Sequence, residues 1–194
     1  MRGFLIAMEG IDGAGKTTQA RMLVRWLNDR GLRAHYTREP TDGPIGKILR
    51  EMASMRDVEP RVEALLFAAD RLHHVSEVIN PLLSKGYIVV SDRYIHSSLA
   101  YQSETTGQPN WVKEINRFAP QPNLAILLDV EPSVGLGRIK GERSRFEDPA
   151  LLERIRRNYL EMAGRGEMVV VDAGENVERV FERVRRVVSE FLNL

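Results

Sequence analysis

The 194-residue chain contains no cysteine, which excludes disulfide bonds and thiolate-ligated metal sites. No apolar run approaches the length of a membrane span, and the apolar segment that follows Arg2 is too short for a signal-peptide core. An excess of one charge is also missing, because 28 basic and 27 acidic residues give a formal net charge of +1. Global charge therefore gives no reason to expect a nucleic acid or a membrane as partner, and a cytoplasmic location is the default expectation.

Linkers and repeats are missing as well, so we predict a single domain over residues 1–194, with a short basic lid at about 138–147. Short apolar runs alternate with segments of helical periodicity. We predict strands over 4–8, 32–38, 87–91, 124–128 and 168–171. The alternation predicts an α/β fold, with a mostly parallel five-stranded sheet, helices on both faces and functional groups at the carboxyl ends of the strands.

Two predicted helices carry an apolar stripe, the usual sign of a face that packs on the core. In the segment 60–84 the stripe consists of Val62, Leu65, Leu66, Ala69, Leu72, Val75, Val78 and Ile79. Pro81 is expected to bend or interrupt that helix late in its run. In the segment 177–192 the stripe consists of Val177, Val180, Phe181, Val184, Val187, Val188 and Phe191.

Residues 10–17 fit the phosphate-binding pattern Gly-x-x-x-x-Gly-Lys-[Ser/Thr] at every fixed position. Its glycines allow the backbone to approach phosphate oxygens, Lys16 can reach the β- and γ-phosphates, and the Thr17 hydroxyl can ligate Mg²⁺. A strand precedes the pattern and a helix follows it, so the helix N-terminus would face the anion. We therefore expect a P-loop NTPase-type fold that binds a nucleoside triphosphate through Gly10, Ile11, Asp12, Gly13, Ala14, Gly15, Lys16, Thr17 and Thr18.

Features outside the P-loop narrow the class of protein. The motif Asn-Lys-x-Asp does not occur, and Asp-x-x-Gly does not occur outside the P-loop, so the usual GTPase signatures are missing. Asp92 follows a predicted buried strand, where a carboxylate can hold Mg²⁺ through water, and Arg93 adds a cation to the same crevice. The basic segment 138–145 is either a lid that brings an arginine to the transferred phosphoryl group or a solvated charged loop.

The sequence resembles the thymidylate kinases, a family of P-loop nucleoside monophosphate kinases. The resemblance rests on the stretches 8–19, 38–40, 66–71, 92–102, 128–130, 145–147 and 156–161. The stretch 92–102 is the most diagnostic, since many families share the P-loop. The resemblance implies an ATP:dTMP phosphotransferase that makes dTDP for dTTP synthesis by direct in-line transfer, uses Mg²⁺ and forms a homodimer.

The resemblance also implies a role for each residue of the acceptor site. Phe67 would stack on thymine and Arg71 would donate to its O4. Asp12 would receive the 3′-hydroxyl, and Tyr101 would lie under the sugar, where it crowds a 2′-hydroxyl. The remaining assignments are Arg38 and Arg93 at the dTMP phosphate and Ser97, Ser98, Gln102 and Tyr159 around the base and sugar.

Catalysis by such an enzyme is mainly alignment and charge neutralisation, because the dTMP phosphate is already an anionic nucleophile. Lys16 and Mg²⁺ would act on the ATP phosphates, with Thr17 and Asp92 as metal ligands, and Arg93 would act on the acceptor.

A lid arginine is expected to complete the site. The P-loop has Ala14 where one branch of the family has an arginine, which implies that the lid supplies this group. Arg145 is the first candidate and Arg143 the second, while Arg138 would lie along the adenine.

Alternative functions stay open at this point. One is a related kinase for another deoxynucleotide or for a nucleoside. The other is a P-loop regulatory or assembly protein without phosphotransfer, which would explain residues 10–17 but not Phe67 with Arg71, residues 92–94 and the basic lid together. His73 and His74 are neighbours on a predicted helix and diverge in direction, so we expect no metal chelate there.

Overall fold

A computed structural model describes residues 3–55, 57–139 and 146–194 of the chain. Parallel strands form one sheet in the order β2-β3-β1-β4-β5. The strands are β1 (Phe4–Glu9), β2 (Ala34–Arg38), β3 (Ile88–Asp92), β4 (Leu124–Asp129) and β5 (Val169–Asp172). The predicted α/β class and all five predicted strands are confirmed, although β2 begins two residues later than expected. Register places Asp92 beside both Met8 and Arg38, so the strands that carry the site end together.

The burial of the strands explains their composition. The central strands β1, β3 and β4 are buried on both faces, as their continuous apolar runs predict for a parallel sheet. The edge strand β5 instead leaves Val169 and Val170 partly exposed. Polar groups of the central part of the sheet are therefore concentrated where the strands end.

Helices pack in two groups against the sheet: α1 packs on α9, whereas α5 packs on α3, α6 and α8. The helices are α1 (Lys16–Asn28), α2 (Pro44–Met52), α3 (Pro60–His74), α4 (Asn80–Ser84), α5 (Ile95–Thr106), α6 (Pro109–Ile115), α7 (Pro132–Arg138), α8 (Pro149–Gly164) and α9 (Val177–Leu192). Several of these helices begin with a proline in the first turn or with a side-chain cap. Asp148 caps α8 in this way, and Asn176 caps α9. None of the helices in the described ranges is long and apolar enough to cross a membrane.

The helix predicted over 60–84 is interrupted late in its run, as Pro81 was expected to cause, although the interruption begins at Val75, six residues before the proline. The structure divides it into α3, a π-helical turn over Val75–Ile79 and α4. Pro81 has no N–H to donate, and its ring crowds the carbonyl of Glu77, four residues earlier. The disturbance therefore falls in the turn before the proline.

The apolar stripe predicted over 60–84 faces the core in its later part, where Val75 and Ile79 are buried, but not within α3. Val62 and Leu65 are 47% and 49% exposed, whereas the buried positions of this helix include Glu63, Asp70 and Arg71. The stripe predicted for α9 does face the core, because Val180, Val184 and Val188 are its buried residues. Apart from Ala64 and Ala68, the inward face of α3 is therefore polar. The site that this face lines, described below, gives the reason.

Candidate active site

The loop between β1 and α1 has the backbone geometry that its glycines predict. Gly10, Gly13 and Gly15 have φ values of 137°, 78° and 90°, which L side chains rarely adopt. A Cβ on Gly13 would fall on the backbone of Gly135 in α7, and a Cβ on Gly135 would lie 2.6 Å from the carbonyl oxygen of Asp12. The phosphate loop and α7 thus approach each other backbone to backbone.

Lys16 is buried inside this loop, where its Nζ donates to the carbonyl of Ile11 at 2.7 Å. Its pKa is lowered to about 8, first because burial disfavours the charged amine and then because Arg93 carries a like charge. Asp12 and Asp92 oppose part of this shift. The lowered pKa means that the negative charges of the protein do not fully compensate the buried amine. A phosphate oxygen placed beside Nζ would supply the missing negative charge and favour the protonated form.

The loop opens onto a cavity of about 560 Å³, which we call the donor cavity. The predicted ATP contacts that line it are Asp12, Gly13, Ala14, Gly15, Lys16, Thr17, Thr18 and Arg138. At its far side the Arg138 guanidinium donates to the carbonyls of Ala173 at 2.9 Å, Gly174 at 3.3 Å and Glu175 at 3.2 Å. These bonds hold a flat cationic group where a planar base could stack. Gly10 and Ile11, also predicted at ATP, are not among the lining residues, and their carbonyls accept from Arg93 and Lys16.

The predicted metal ligands lie side by side in the wall of the donor cavity. The Thr17 hydroxyl donates to the carboxylate of Asp92, which also accepts from the Tyr36 hydroxyl at 3.3 Å. Hydroxyl and carboxylate oxygens suit Mg²⁺. Across the described ranges, no three His, Cys, Asp or Glu side chains form a metal-holding group. A cation at Thr17 and Asp92 would therefore complete its coordination with phosphate oxygens and water.

Arg93 lies between the donor cavity and a second cavity and lines both. Its φ of 69° is unusual for a residue with a side chain, and such strain is found preferentially at functional sites. Its guanidinium pairs with Asp12 and donates to the Gly10 carbonyl and the Ser97 hydroxyl, both at 3.3 Å. Burial opposes the charge, but Asp12 together with Tyr101, Tyr159 and Asp92 outweighs burial and raises the pKa of Arg93, which stays cationic.

Asp12 turns its carboxylate toward Arg93 and accepts from the Tyr101 hydroxyl at 3.1 Å. Burial by itself would raise the pKa of Asp12, yet the charges of Arg93 and Lys16 lower it overall. Burial and the Asp12 charge both raise the pKa of Tyr101, which stays protonated and keeps its hydroxyl hydrogen. These neighbours explain how a carboxylate can stand inside an anion-binding loop.

The second cavity, of about 190 Å³, is narrower, and we call it the acceptor cavity. The predicted residues that line it are Asp12, Phe67, Arg71, Arg93, Ser97, Tyr101 and Gln102. Pro40, Leu49, Ala53 and Phe146 add apolar wall. It shares part of its wall with the donor cavity, so ligands in the two cavities would meet there, beside the Arg93 guanidinium. The shared residues are Asp12, Glu39, Pro40, Arg50 and Arg93.

Arg71 lies in the wall of the acceptor cavity as predicted, but its hydrogen bonds were not foreseen. All five N–H groups of its guanidinium donate within the protein. The acceptors are Glu39 Oε2 at 2.9 and 2.7 Å, Ser98 Oγ at 2.9 Å, the Tyr94 carbonyl at 3.0 Å and Asn116 Oδ1. A nucleobase oxygen would have to share or replace one of these acceptors. Ser98 therefore lies behind Arg71, and Ser97 is the serine on the cavity wall.

Tyr159 is placed differently from the expectation that it approaches the base. Its side chain is fully buried, and its hydroxyl lies 2.9 Å from Ser97 Oγ and 3.1 Å from Glu9 Oε2. Glu9 also accepts from the Ser97 hydroxyl at 2.6 Å and from the Tyr94 N–H at 2.9 Å. Tyr159 thus supports the cavity wall from behind. Sequence reasoning placed Glu9 at the end of an apolar strand, where functional groups were expected, but gave it no role.

Two arginines occupy the rim. Arg38, predicted at the acceptor phosphate, lies on the donor side and pairs with Asp42 at 2.6 Å, half exposed. Arg50 was missed, yet it lines both cavities and donates to the carbonyls of Pro40, at 3.1 Å, and Thr41. Leu49 and Arg50 near the end of α2 and Ala53 directly after it are three to four residues apart, and this spacing could have indicated Arg50.

The lid arginines Arg143 and Arg145 lie outside the described residues. The first described residue after them, Phe146, lines the acceptor cavity and meets the Tyr101 ring edge-on at 5.7 Å. The C-terminal end of the predicted lid segment therefore lies at the acceptor cavity.

A P-loop beside a second cavity, with Arg93 and Arg50 common to both, defines a P-loop phosphotransferase that brings a triphosphate to an acceptor. The family model for thymidylate kinase matches residues 8–184, and the chain belongs to that family. A protein named "Probable thymidylate kinase" from Pyrococcus horikoshii is 43% identical over 202 residues, which cover 99% of this chain and 98% of that one. Proteins of the same name from Staphylothermus marinus, 43% identical over 194 residues, and Pyrobaculum aerophilum, 42% identical over 190 residues, cover 98% and 94% of this chain and 96% and 97% of their own.

Proposed function

We propose that this chain transfers the γ-phosphoryl group of ATP to dTMP and so produces dTDP. The observation that carries the proposal is the meeting of the donor and acceptor cavities at Arg93. A triphosphate on the P-loop and a monophosphate in the acceptor cavity would bring their phosphates together there. In-line transfer between bound nucleotides needs this arrangement and little covalent chemistry from the protein.

Charge neutralisation is the main contribution of the chain to the reaction. Lys16 would contact the ATP phosphates, and its charge is favoured once they arrive. Arg93 would hold the phosphate of dTMP and reduce its repulsion from ATP, with Arg50 and Arg38 at the rim. Thr17 and Asp92 would hold Mg²⁺, which when bound neutralises charge on the transferred phosphoryl group.

Acceptor recognition follows from the walls of the acceptor cavity. Phe67 and Pro40 offer flat apolar surface to a pyrimidine, and Arg71 would share one of its N–H groups between a protein acceptor and the O4 of the base. Asp12 would accept the 3′-hydroxyl of the sugar. Tyr101 packs beneath this position, held by Asp12, and would crowd a 2′-hydroxyl. Both features favour a thymine deoxynucleotide.

We also propose that the lid over about 138–147 supplies the arginine that stabilises the transition-state charge. The assignment to Arg145 rests on the family resemblance and on Ala14 in the P-loop. Arg145→Ala is expected to lower kcat by ~10³-fold and to leave ATP binding nearly unchanged. Arg143→Ala is the comparison variant. Full kcat in Arg145→Ala would contradict the assignment.

A homodimer in the cytoplasm is the expected state of the protein. Exposed apolar side chains on α2 and α3, among them Ile48, Val62 and Leu65, support self-association. The absence of cysteine suits a reducing compartment. We expect a single domain, with neither nucleic acid nor membrane as a partner.

ADP formation with MgATP and a panel of acceptors tests the function. The panel contains dTMP, dUMP, ribose TMP, dGMP, dCMP and thymidine. A strong preference for dTMP is expected. Turnover with another acceptor would keep the kinase and change the assignment of the acceptor cavity. Slow hydrolysis independent of any acceptor would instead indicate a P-loop regulatory protein.

A further inference from the structure

A chain of hydrogen-bonded polar side chains begins in the wall of the acceptor cavity and extends behind it to a half-buried threonine. It runs from Arg71 through Glu39 and His74 to Thr37. Arg71 and His74 are each 1% exposed, and Glu39 is 5% exposed. Only Arg71 and Glu39 reach the acceptor cavity. Such groups are costly to bury unless each is hydrogen-bonded, so their partners decide where they point.

The Glu39 carboxylate divides its oxygens between two donors. Oε2 accepts both bonds from Arg71, and Oε1 lies 3.0 Å from His74 Nδ1. A carboxylate oxygen accepts, so Nδ1 carries the hydrogen. His74 therefore fixes the rotation of the carboxylate whose other oxygen holds Arg71.

The ring of His74 is itself held from the other side. Nε2 lies 2.6 Å from the hydroxyl of Thr37, which belongs to β2. His74 ends α3, and Arg71 stands one turn earlier on the same helix. The histidine thus connects the helix that carries Arg71 to the strand that leads into Glu39.

We propose that His74 is a positioning residue for the acceptor nucleotide, which acts through Glu39 to hold the Arg71 guanidinium in the cavity wall. This inference rests on the proposed function, since it is the thymine contact of Arg71 that would depend on it. Removal of the Nδ1 donor leaves Oε1 of a buried carboxylate without its partner. Glu39 is then free to turn, and Arg71 loses its fixed direction.

Two substitutions test the roles of the two ring nitrogens of His74 one at a time. The amide nitrogen of asparagine falls close to the place of Nδ1, and that of glutamine close to the place of Nε2. His74→Asn therefore keeps a donor for Glu39, whereas His74→Gln keeps only the contact with Thr37. Exposed His73, which is adjacent in sequence and outside this chain of contacts, supplies the control variant His73→Gln.

Steady-state kinetics with dTMP and calorimetric titration of dTMP and ATP form the test. For His74→Gln we expect the KM and Kd of dTMP to rise about tenfold, with kcat changed less than threefold and ATP affinity unchanged. His74→Asn is expected within about threefold of wild type in every constant, and His73→Gln within about twofold.

Equal behaviour of His74→Asn and His74→Gln, or parallel losses in dTMP and ATP binding, would overturn the inference, because a merely structural histidine predicts both. In either case an active wild type leaves the proposed function standing. A wild-type chain that forms no ADP with dTMP would overturn the proposed function, and this inference with it.

Discussion

Helices α3 and α9 are similar in length and both carry an apolar stripe, yet they are oriented in opposite ways. In α9 the stripe is buried, through Val180, Val184 and Val188. In α3 the buried face contains Arg71 and Glu63, while Val62 and Leu65 are exposed. The difference shows that an apolar stripe identifies the inward face of a helix only where that helix packs on apolar side chains. A helix that faces a nucleotide site buries polar groups, and its apolar face is left for another surface.

The largest expected effect comes from the buried arginine of α3. Arg71→Ala removes the cation from the buried Glu39 carboxylate, so we expect the free energy of unfolding to fall by about 3–5 kcal/mol. We also expect kcat/KM for dTMP to fall at least ~100-fold, with ATP affinity unchanged. Denaturant titration and kinetics measure the two effects.

Arg186→Ala on the exposed face of α9 is the matched control, with an expected change below about 0.5 kcal/mol. Equal losses of stability in the two variants would remove the distinction between the helices. Equal losses of kcat/KM for every acceptor in Arg71→Ala would contradict a role in base selection.

Replacing one valine in the apolar stripe of each helix tests whether the stripe is buried in α9 and exposed in α3. Val184→Ala on α9 leaves a cavity in the core and is expected to cost about 2–3 kcal/mol, while kcat/KM stays within twofold. Val62→Ala on α3 is expected to cost less than about 0.5 kcal/mol in the monomer. Thermal and denaturant unfolding compare the pair. A cost at Val62 as large as that at Val184 would mean that the α3 stripe is covered within the monomer.

The phenylalanines of the two helices are expected to separate function from stability. Phe67 of α3 lines the acceptor cavity, whereas Phe191 of α9 meets the Phe4 ring edge-on at 5.6 Å. Phe67→Leu should raise the KM of dTMP about tenfold with little loss of stability. Phe191→Leu should lower the free energy of unfolding by about 1 kcal/mol and leave the KM unchanged. The opposite assignment of the two effects would refute the stacking role of Phe67.

The smallest effect on the folded monomer is expected from the outward face of α3. Leu65→Ser should change monomer stability by less than about 0.5 kcal/mol, because the side chain is 49% exposed. If this face joins two copies, the mass measured by light scattering at micromolar concentration falls from dimer to monomer. A wild-type chain that is monomeric at that concentration would exclude the homodimer.

Local patterns predicted most of the fold and part of the site. The P-loop and the central strands were readable because their residues are close in sequence, and the pair Phe67 and Arg71 because helical spacing puts them on one face. Extending that pair back by one turn gives Glu63, which also lines the acceptor cavity. The partners of Arg71 come from distant segments of the chain, so no local pattern predicts them. The same holds for Tyr159, whose hydroxyl meets Glu9 across 150 positions.

The close approach of Gly13 and Gly135 has a consequence for how this sequence can change over evolutionary time. Contacts between two side chains can drift, because a larger residue on one side is offset by a smaller one on the other. Here a side chain at either position meets the main chain of the opposite segment, which no substitution can shorten. A larger residue at either glycine therefore cannot be accommodated by a smaller residue at the other. We therefore expect libraries that randomise both positions together to return the original pair, with no coupled replacements.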